Sequence, residues 1–401
     1  MSSKKIGIVT FVRPCNYGAA LQCYALNKVI SSLGGEPVTM DYWPEYFRVR
    51  YYIDHVPFSL KPKKFKEWRH RMAVKRVKDR RNKKFEQFMA QNVVLSGKTA
   101  HNAEELRECM HKSGIRKWIT GSDQVWSDTC ARFDPAYFLD MELPEGSSKY
   151  SYAASFGMAR IPEDKKDEYQ RRLSDYRRYS VREQSGVDMV RELVDADVNV
   201  HCDPTLLLPA EEWEKIASPP RKERYILIYH VLKPDYLLEK AAELSRKTGL
   251  KVVLFTPYFA YPAIKGAPLR RYGYEPVMDS SPQDFVSLFR NAEYVLTNSF
   301  HGTVFSVLFH KNFWSQTKLV EGKLNTRSIN LLEKLGINGR ELTREAPLLD
   351  TPVDWQKAEE ALAQMRVEAR EYLQQIIDDG EPSKQPNVPN SSISIAMYSS
   401  M

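Results

Sequence analysis

The sequence predicts an α/β protein built as two Rossmann-like domains facing across a cleft. Three observations predict it. A β-rich run, Lys5–Phe11, passes through the loop Arg13–Gly18 into a helical pattern. The second half alternates strand and helix patterns with short connections. Between the halves lies a proline-bearing stretch, Leu206–Arg224, with Pro209, Pro219 and Pro220. Strand–helix alternation implies parallel sheets, and ligands of such folds sit beyond the carboxyl ends of the strands. A chain of 401 residues suits two or three domains of roughly 100–200 residues.

The elements follow in order. After Lys5–Phe11 comes a helix over Ala19–Leu33, with Leu21, Ala25, Leu26 and Val29 at helical spacing. Gly34-Gly35 ends it, and Pro37–Asp41 is a second strand. Lys117–Thr120, Lys149–Ser155, Tyr179–Val181 and Val198–Cys202 are further strands, with helices over Pro162–Leu173 and Gln184–Leu193. Past the linker, Tyr225–Leu232 and Lys251–Thr256 flank a helix over Asp235–Thr248 that stops at Gly249. Ser281–Asn291 is a helix with Pro282 in its first turn, where proline is tolerated. Glu293–Asn298 is a strand, His301–Phe309 a helix, Phe313–Gln316 a strand and Thr326–Leu335 a helix closed by Gly336. A long amphipathic helix runs from Asp354 to Ile377. The expected division is an N-terminal domain over 1–205 with a basic helical insertion at 61–90, and a linker over 206–224. A C-terminal domain over 225–345 follows, then the last helix over 346–378 and a disordered tail over 379–401.

Composition excludes several classes. Hydrophobic residues at 42% and charged residues at 27% describe an ordinary globular chain, not a collagen-like or disordered one. Five cysteines, an odd number without a C-x-x-C pair, suggest neither a disulfide framework nor a zinc site. We therefore expect no bound metal. No apolar run approaches a membrane span, and Ile6–Val12 reads as a strand, not a signal peptide. The expected location is cytoplasmic, with peripheral attachment at the inner membrane face as an extension of that reading.

Five constellations at strand ends carry the candidate chemistry. Asn16-Tyr17-Gly18-Ala19-Ala20-Leu21-Gln22 opens a helix, whose N-terminal amides suit an anion or a hydroxyl-rich ligand; the alternative is a plain turn. Gly121-Ser122-Asp123-Gln124-Val125-Trp126 combines groups that read sugar hydroxyls, against an N-cap with Trp126 in the core. Arg182, beside Glu183, offers a planar fork to a carboxylate or phosphate, or else pairs on the surface. Thr297-Asn298-Ser299-Phe300-His301-Gly302-Thr303 is the sharpest, because a strand runs straight into a helix whose first turn holds a histidine. His201, His230 and His310 lack such company and read as structural. The last is the long connection Pro257–Met278, rich in tyrosine and arginine, either a binding loop or a surface loop with buried tyrosines.

Together these motifs resemble the polysaccharide pyruvyl transferase family. The carriers are Asn16–Gln22 with Tyr24-Ala25-Leu26, Gly121–Trp126, Tyr152-Ala153-Ala154-Ser155-Phe156-Gly157, Ser180–Glu183, Asp203-Pro204-Thr205-Leu206-Leu207-Leu208, Asn298–Thr303 and Asn325-Thr326-Arg327 before Leu331-Leu332. The resemblance spans about residues 5–340. It implies a fold similar to glycosyltransferase-B, with the last helix crossing back. It further implies phosphoenolpyruvate as donor, without a separate cofactor, and a capsular, exopolysaccharide or cell-wall sugar as acceptor, with a pyruvate ketal as product. By the same resemblance His301 is the catalytic acid or base. Donor-binding positions are Arg182, Ser299, Lys318 and Arg327. Asn16, Tyr17, Gly18, Gln22, Gly121, Ser122, Asp123 and Gln124 line the acceptor side. Characterised branches of the family carry an arginine where Ser299 stands, so Lys318, Lys323 or Arg327 is expected to supply that cation. The competing readings are a nucleotide-sugar transferase of the same fold and a non-catalytic glycan- or lipid-binding scaffold.

The formal charge is +8, and it is localised. Lys61–Lys84 holds thirteen basic residues against Glu67 and Asp79, a net +11, which leaves −3 for the rest. The segment lacks a nucleic-acid-binding motif. Phe65, Trp68, Met72, Phe85 and Phe88 mark one face. Either that face packs on the chain's own domain, or the helix docks on an anionic membrane beside a lipid-linked acceptor.

Overall fold

The computed structural model describes residues 4–51, 62–234, 236–257, 272–317, 325–345, 348 and 352–380. The first sheet contains β1 (Lys5–Val9), β2 (Glu36–Thr39), β3 (Lys117–Thr120), β4 (Ser148–Ser151), β5 (Tyr176–Val181) and β6 (Val198–Val200). Its strand order is β2-β1-β3-β4-β5-β6, and every pair is parallel. The second contains β7 (Tyr225–Tyr229), β8 (Lys251–Phe255), β9 (Glu275–Val277), β10 (Tyr294–Thr297), β11 (Asn312–Gln316) and β12 (Glu341–Leu342). Its order is β12-β11-β10-β7-β8-β9, again all parallel. Helices cover both faces, so the central strands read as apolar runs such as YILIY in β7, buried throughout.

The expected two-domain α/β architecture is therefore present. The helices are α1 (Tyr17–Ser32), α2 (Glu45–Tyr51), α3 (Pro62–Asn92), α4 (Ala103–Lys112), α5 (Lys166–Leu173), α6 (Gln184–Leu193), α7 (Ala210–Glu214), α8 (Leu237–Thr248), α9 (Pro282–Asn291), α10 (Phe300–Leu308), α11 (Thr326–Lys334) and α12 (Trp355–Asp378). The strand expected over Lys149–Ser155 stops at Ser151. Beyond it the chain turns through Ala153, at φ +44°, and Ala154 bridges Asp123 on one side and Val181 on the other. This departure from regular pairing brings three strand-end loops together.

The stretch expected as a linker is packed. Leu206, Leu207 and Leu208 are buried, and α7 carries a fully buried Trp213. The Trp213 ring meets Tyr24 of the first domain at 5.6 Å and Phe305 of the second at 4.9 Å. Proline marks a break in regular structure, but it carries no information about whether the break is solvated.

The cationic helix is a strut between domains over its C-terminal half. Phe85 lies 4.9 Å from Tyr17 and Phe88 lies 5.7 Å from Tyr24, so the apolar face packs on α1. Arg81 is buried and donates to the Pro257 carbonyl. Arg80 pairs with Asp279 at 2.8 Å and Lys84 reaches Asp284 at 3.8 Å, both on the second domain. Part of the +11 charge is thus engaged within the protein. Lys61 and most of the long connection, 258–271, lie outside the described residues, as do 381–401 of the tail.

Helix α12 crosses back onto the first domain. Lys117 Nζ donates to Ile377 O at 2.7 Å, Tyr372 Oη to Ser151 O at 2.9 Å, and Arg366 Nε to Leu206 O at 2.8 Å. Beneath it His201 is buried, its Nδ1 2.8 Å from Ser180 Oγ, with the rings of Tyr152 and Tyr372 at 5.9 and 4.5 Å. Burial pushes this imidazole down to about 4. The unfolded chain, with an ordinary histidine near 6.5, binds that proton more readily, so stability drops as pH falls from 6.5 toward 4. His201→Asn is expected to remove up to about 3 kcal/mol of that drop, at about 1.4 kcal/mol per pKa unit. Urea unfolding of both proteins at pH 7 and pH 4.5 measures it, and equal pH dependences would contradict it.

Candidate active site

Both sheets point the carboxyl ends of their strands at one cleft of about 780 Å³. Three helix N-termini open onto it. Asn16 caps α1, its Oδ1 accepting from Gly18 N at 3.1 Å. Ser299 caps α10, its Oγ accepting from Gly302 N at 3.4 Å. Asn325 precedes α11 with no side-chain cap bond. Amides and dipoles aimed into one space favour negative charge there.

The β10–α10 junction is tied down on every side. Thr297 Oγ1 donates to Tyr229 O at 2.7 Å and accepts from Ser299 N at 3.0 Å. Asn298 Oδ1 accepts from Val231 N at 2.9 Å. The first turn of α10 thereby carries His301 into the interdomain space with 7% of its surface exposed. Its ring sits directly against Gly18 of the other domain. A Cβ on Gly18 would lie 2.0 Å from His301 Nδ1, so only glycine admits the imidazole at this place. On its far side Nε2 lies 3.5 Å from Asp203 Oδ2.

Asp203 is fully buried after β6. Its Oδ1 accepts from Thr205 N at 3.0 Å and Thr205 Oγ1 at 2.7 Å; its Oδ2 accepts from Arg182 Nη1 at 2.9 Å and Ser122 Oγ at 3.4 Å. Burial alone would raise its carboxyl. The charges of His301 and Arg182, with the Thr205 hydrogen bond, instead hold it well below the usual carboxylate range. Arg182 also pairs with Glu183 at 3.1 Å and Asp123 at 3.7 Å, and stacks over the Phe300 ring at 4.9 Å. Burial opposes its charge, and the three carboxylates outweigh burial and keep it cationic.

Arg327 is a second guanidinium of the site, and Arg50 also lines the cleft. With the Gln124 amide turned to face it, the amide oxygen accepts from both Arg327 Nη atoms at 2.6 and 3.2 Å. Among the described residues no carboxylate lies within ion-pair reach of it. Burial and the neighbouring Arg182 charge both press its guanidinium down. The Glu183 and Asp123 carboxylates, beyond ion-pair reach, act in the opposite direction. Phe11, Phe47 and Tyr51 line one end of the cleft and present apolar faces suited to a sugar ring. Among the described residues no cluster of His, Cys, Asp and Glu is arranged to hold a metal ion.

The expected site residues separate accordingly. Asn16, Asp123, Gln124, Ser299, His301 and Arg327 line the cleft, and Gly18 supports the histidine. Tyr17 does not line it: its ring stacks on Phe285 at 5.4 Å and its hydroxyl donates to Ser280 O at 3.0 Å. Gln22 is buried, with Nε2 donating to Thr10 Oγ1 and Ala19 O. Gly121 and Ser122 form the support beneath Asp123. Gly121 has φ +110°, and Ser122 Oγ donates to Ala153 O at 2.9 Å. Arg182 is not an open anion clamp, because three carboxylates surround it; it borders a smaller cavity of about 210 Å³ behind Phe300. Lys318 and Lys323 lie outside the described residues. Two contributors went unmarked as site residues, Asp203 and Phe300. An aspartate directly after a strand and before Pro-Thr was a signal available for the first.

Comparison with known proteins bears on the family and the fold. The model of the family described as polysaccharide pyruvyl transferase matches residues 16–315. No curated protein matches the sequence. Among solved structures, a glycosyltransferase involved in avilamycin A biosynthesis superposes with a TM-score of 0.50 at 12% identity, covering 93% of this chain and 96% of its own. A UDP-GlcNAc 2-epimerase from Neisseria meningitidis gives 0.48 at 10% identity, with 94% and 95% covered. At such identities the first of these likenesses speaks to the fold alone.

Proposed function

Since the chain belongs to the polysaccharide pyruvyl transferase family, we propose that it transfers pyruvate from phosphoenolpyruvate to a sugar of a capsular, exopolysaccharide or cell-wall glycan, forming a cyclic ketal. The observation that carries the reading is His301, held in the interdomain cleft that is also lined by Arg327, a guanidinium with no carboxylate in ion-pair reach among the described residues.

The chemistry needs a proton carrier, an anion site and a surface for a diol. One acceptor hydroxyl oxygen adds to C2 of the enolpyruvate while C3 gains a proton and becomes a methyl group. The C2–O bond to phosphate then breaks, and phosphate leaves with the bonding pair. The second hydroxyl oxygen adds to C2 and gives up its proton. Two hydroxyls and phosphoenolpyruvate become a ketal and inorganic phosphate. His301 delivers the proton to C3 and receives one from a hydroxyl. Arg327, with the α10 and α11 amides, takes the donor's negative charge in the place where Ser299 supplies none. Asp123 and Asn16 read acceptor hydroxyls, and the aromatic end of the cleft holds the ring.

Incubation with labelled phosphoenolpyruvate and a panel of sugars bearing neighbouring hydroxyl pairs tests it. The expected result is phosphate release that depends on the acceptor, with label transferred to the sugar. No release with any acceptor, under conditions where another family member turns over, overturns the reading.

A further inference from the structure

A fully buried aspartate from the first domain faces the candidate acid–base histidine of the second. Asp203 is 0% exposed, and both of its oxygens are committed: Oδ1 to Thr205, Oδ2 to Arg182 and Ser122. A carboxylate held this way cannot rotate, so the direction in which Oδ2 faces is set by the first domain. It faces His301 Nε2 at 3.5 Å, and Nε2 has no hydrogen-bond partner of its own. The opposite edge of the ring, at Nδ1, lies on the Gly18 side. Gly18 and Asp203 both belong to the first domain, and the imidazole is inserted between them from the second.

We propose that Asp203 is the positioning residue of His301, fixing the ring through Nε2 so that Nδ1 carries the proton to and from substrate. The proposal rests on the pyruvyl-transfer reading for its kinetic consequence only. A shift of under 1 Å on ligand binding brings Nε2–H into hydrogen-bond range, and catalytic hydrogen bonds are often long before substrate is present. Asp203 orients and balances the imidazolium without itself becoming protonated, as a buried carboxylate does behind other catalytic histidines.

The charges around the ring show why the carboxylate is needed. Asp203, Asp123 and Glu183 face the site from the first domain with Arg182 and Arg50, and Arg327 faces it from the second. Among the described residues Asp203 is the one carboxylate within ion-pair reach of a proton on His301. The N-termini of α1 and of α10 itself oppose that proton. Without Asp203 that carboxylate is gone, and the opposing dipoles and guanidinium groups remain. The arrangement also ties function to domain position, because the acid–base pair exists only while the two halves are in contact.

Asp203→Asn keeps the shape and an acceptor for Thr205 while removing the charge. Histidine-labelled NMR of the full chain without ligand should show the His301 titration midpoint moved to lower pH than in the parent. Turnover should fall roughly a hundred- to ten-thousandfold with little change in KM for phosphoenolpyruvate, and Asp203→Glu should recover part of it. Thr205→Val, which loosens the carboxylate and retains its charge, should lower kcat about tenfold at unchanged KM. An unchanged His301 midpoint in folded Asp203→Asn, or kcat within threefold of the parent in both variants, overturns the proposal. If the parent shows no turnover with phosphoenolpyruvate, the functional reading fails, and the NMR comparison still decides the pairing.

Discussion

His301→Ala is expected to lower kcat/KM for phosphoenolpyruvate by roughly 10²–10⁴-fold, the range a positioned proton carrier contributes. The fold should survive. The ring makes no hydrogen bond that another element depends on, and its neighbours Gly18 and Phe300 stay packed without it. Removal leaves Asp203 still paired with Arg182, Thr205 and Ser122. Thermal unfolding within a few degrees of the parent, together with lost phosphate release, is the expected pair of results. Retention of more than a tenth of the activity would remove His301 from the mechanism and leave the cleft as a binding site. His301→Gln should be nearly as inactive, since an amide fills the space but neither gives up nor takes on a proton near neutral pH.

Gly18→Ala is expected to lower kcat about a hundredfold without touching a reacting atom, the scale set by an ångström of misplacement at a catalytic group. The added carbon would stand 2.0 Å from Nδ1 and 2.4 Å from Cε1 of His301, well inside contact distance. Gly18 lies within the first turn of α1, where alanine is accepted by the backbone and favoured by helix propensity. The clash therefore falls on the imidazole and on the seam between domains. Coupling distinguishes this from general damage. In Gly18→Ala/His301→Ala the loss should be no greater than in His301→Ala alone, because both changes act on one ring. Multiplying losses would place the damage of Gly18→Ala away from the ring, and a Gly18→Ala protein with full activity would mean the ring is free to move.

How the site was read from sequence depended on the range of the interactions. Ser299 and His301 were legible because a strand, a polar cap and a helix are adjacent in the chain, and such junctions lie at the carboxyl edge of a parallel sheet. Asn16 was legible for the same reason. Tyr17, next to Asn16, was not. A tyrosine at a helix start looks alike whether its hydroxyl meets a sugar or a carbonyl, and here it meets Ser280, 263 residues away. Gln22 faces inward one turn later, and one helical face cannot be assigned inward or outward without knowing what covers it. Arg182 was placed at the right strand end. Its three carboxylate partners stand at positions 123, 183 and 203, and only Glu183 is adjacent.

The same limit governs the basic segment. A count of charges from 61 to 84 is a property of the chain, whereas the engagement of Arg80, Arg81 and Lys84 by the second domain is a property of the packed molecule. The proline-bearing stretch behaves alike: its breaks were readable, and the burial of Trp213 between two domains was not.

The sequence by itself determined the βαβ alternation, the two parallel sheets, the polar strand-end junctions and the family. Each is encoded in spacings of a few residues, through alternation, helical periodicity, caps and glycine stops. Only the tertiary structure decided that Gly18 makes room for His301, that Asp203 stands behind it, and that Arg327 lines the cleft with no carboxylate in ion-pair reach among the described residues. Those pairings join residues far apart in the chain and bring charges out of water, and their energies depend on distance and burial, which exist only once both domains have closed on one another.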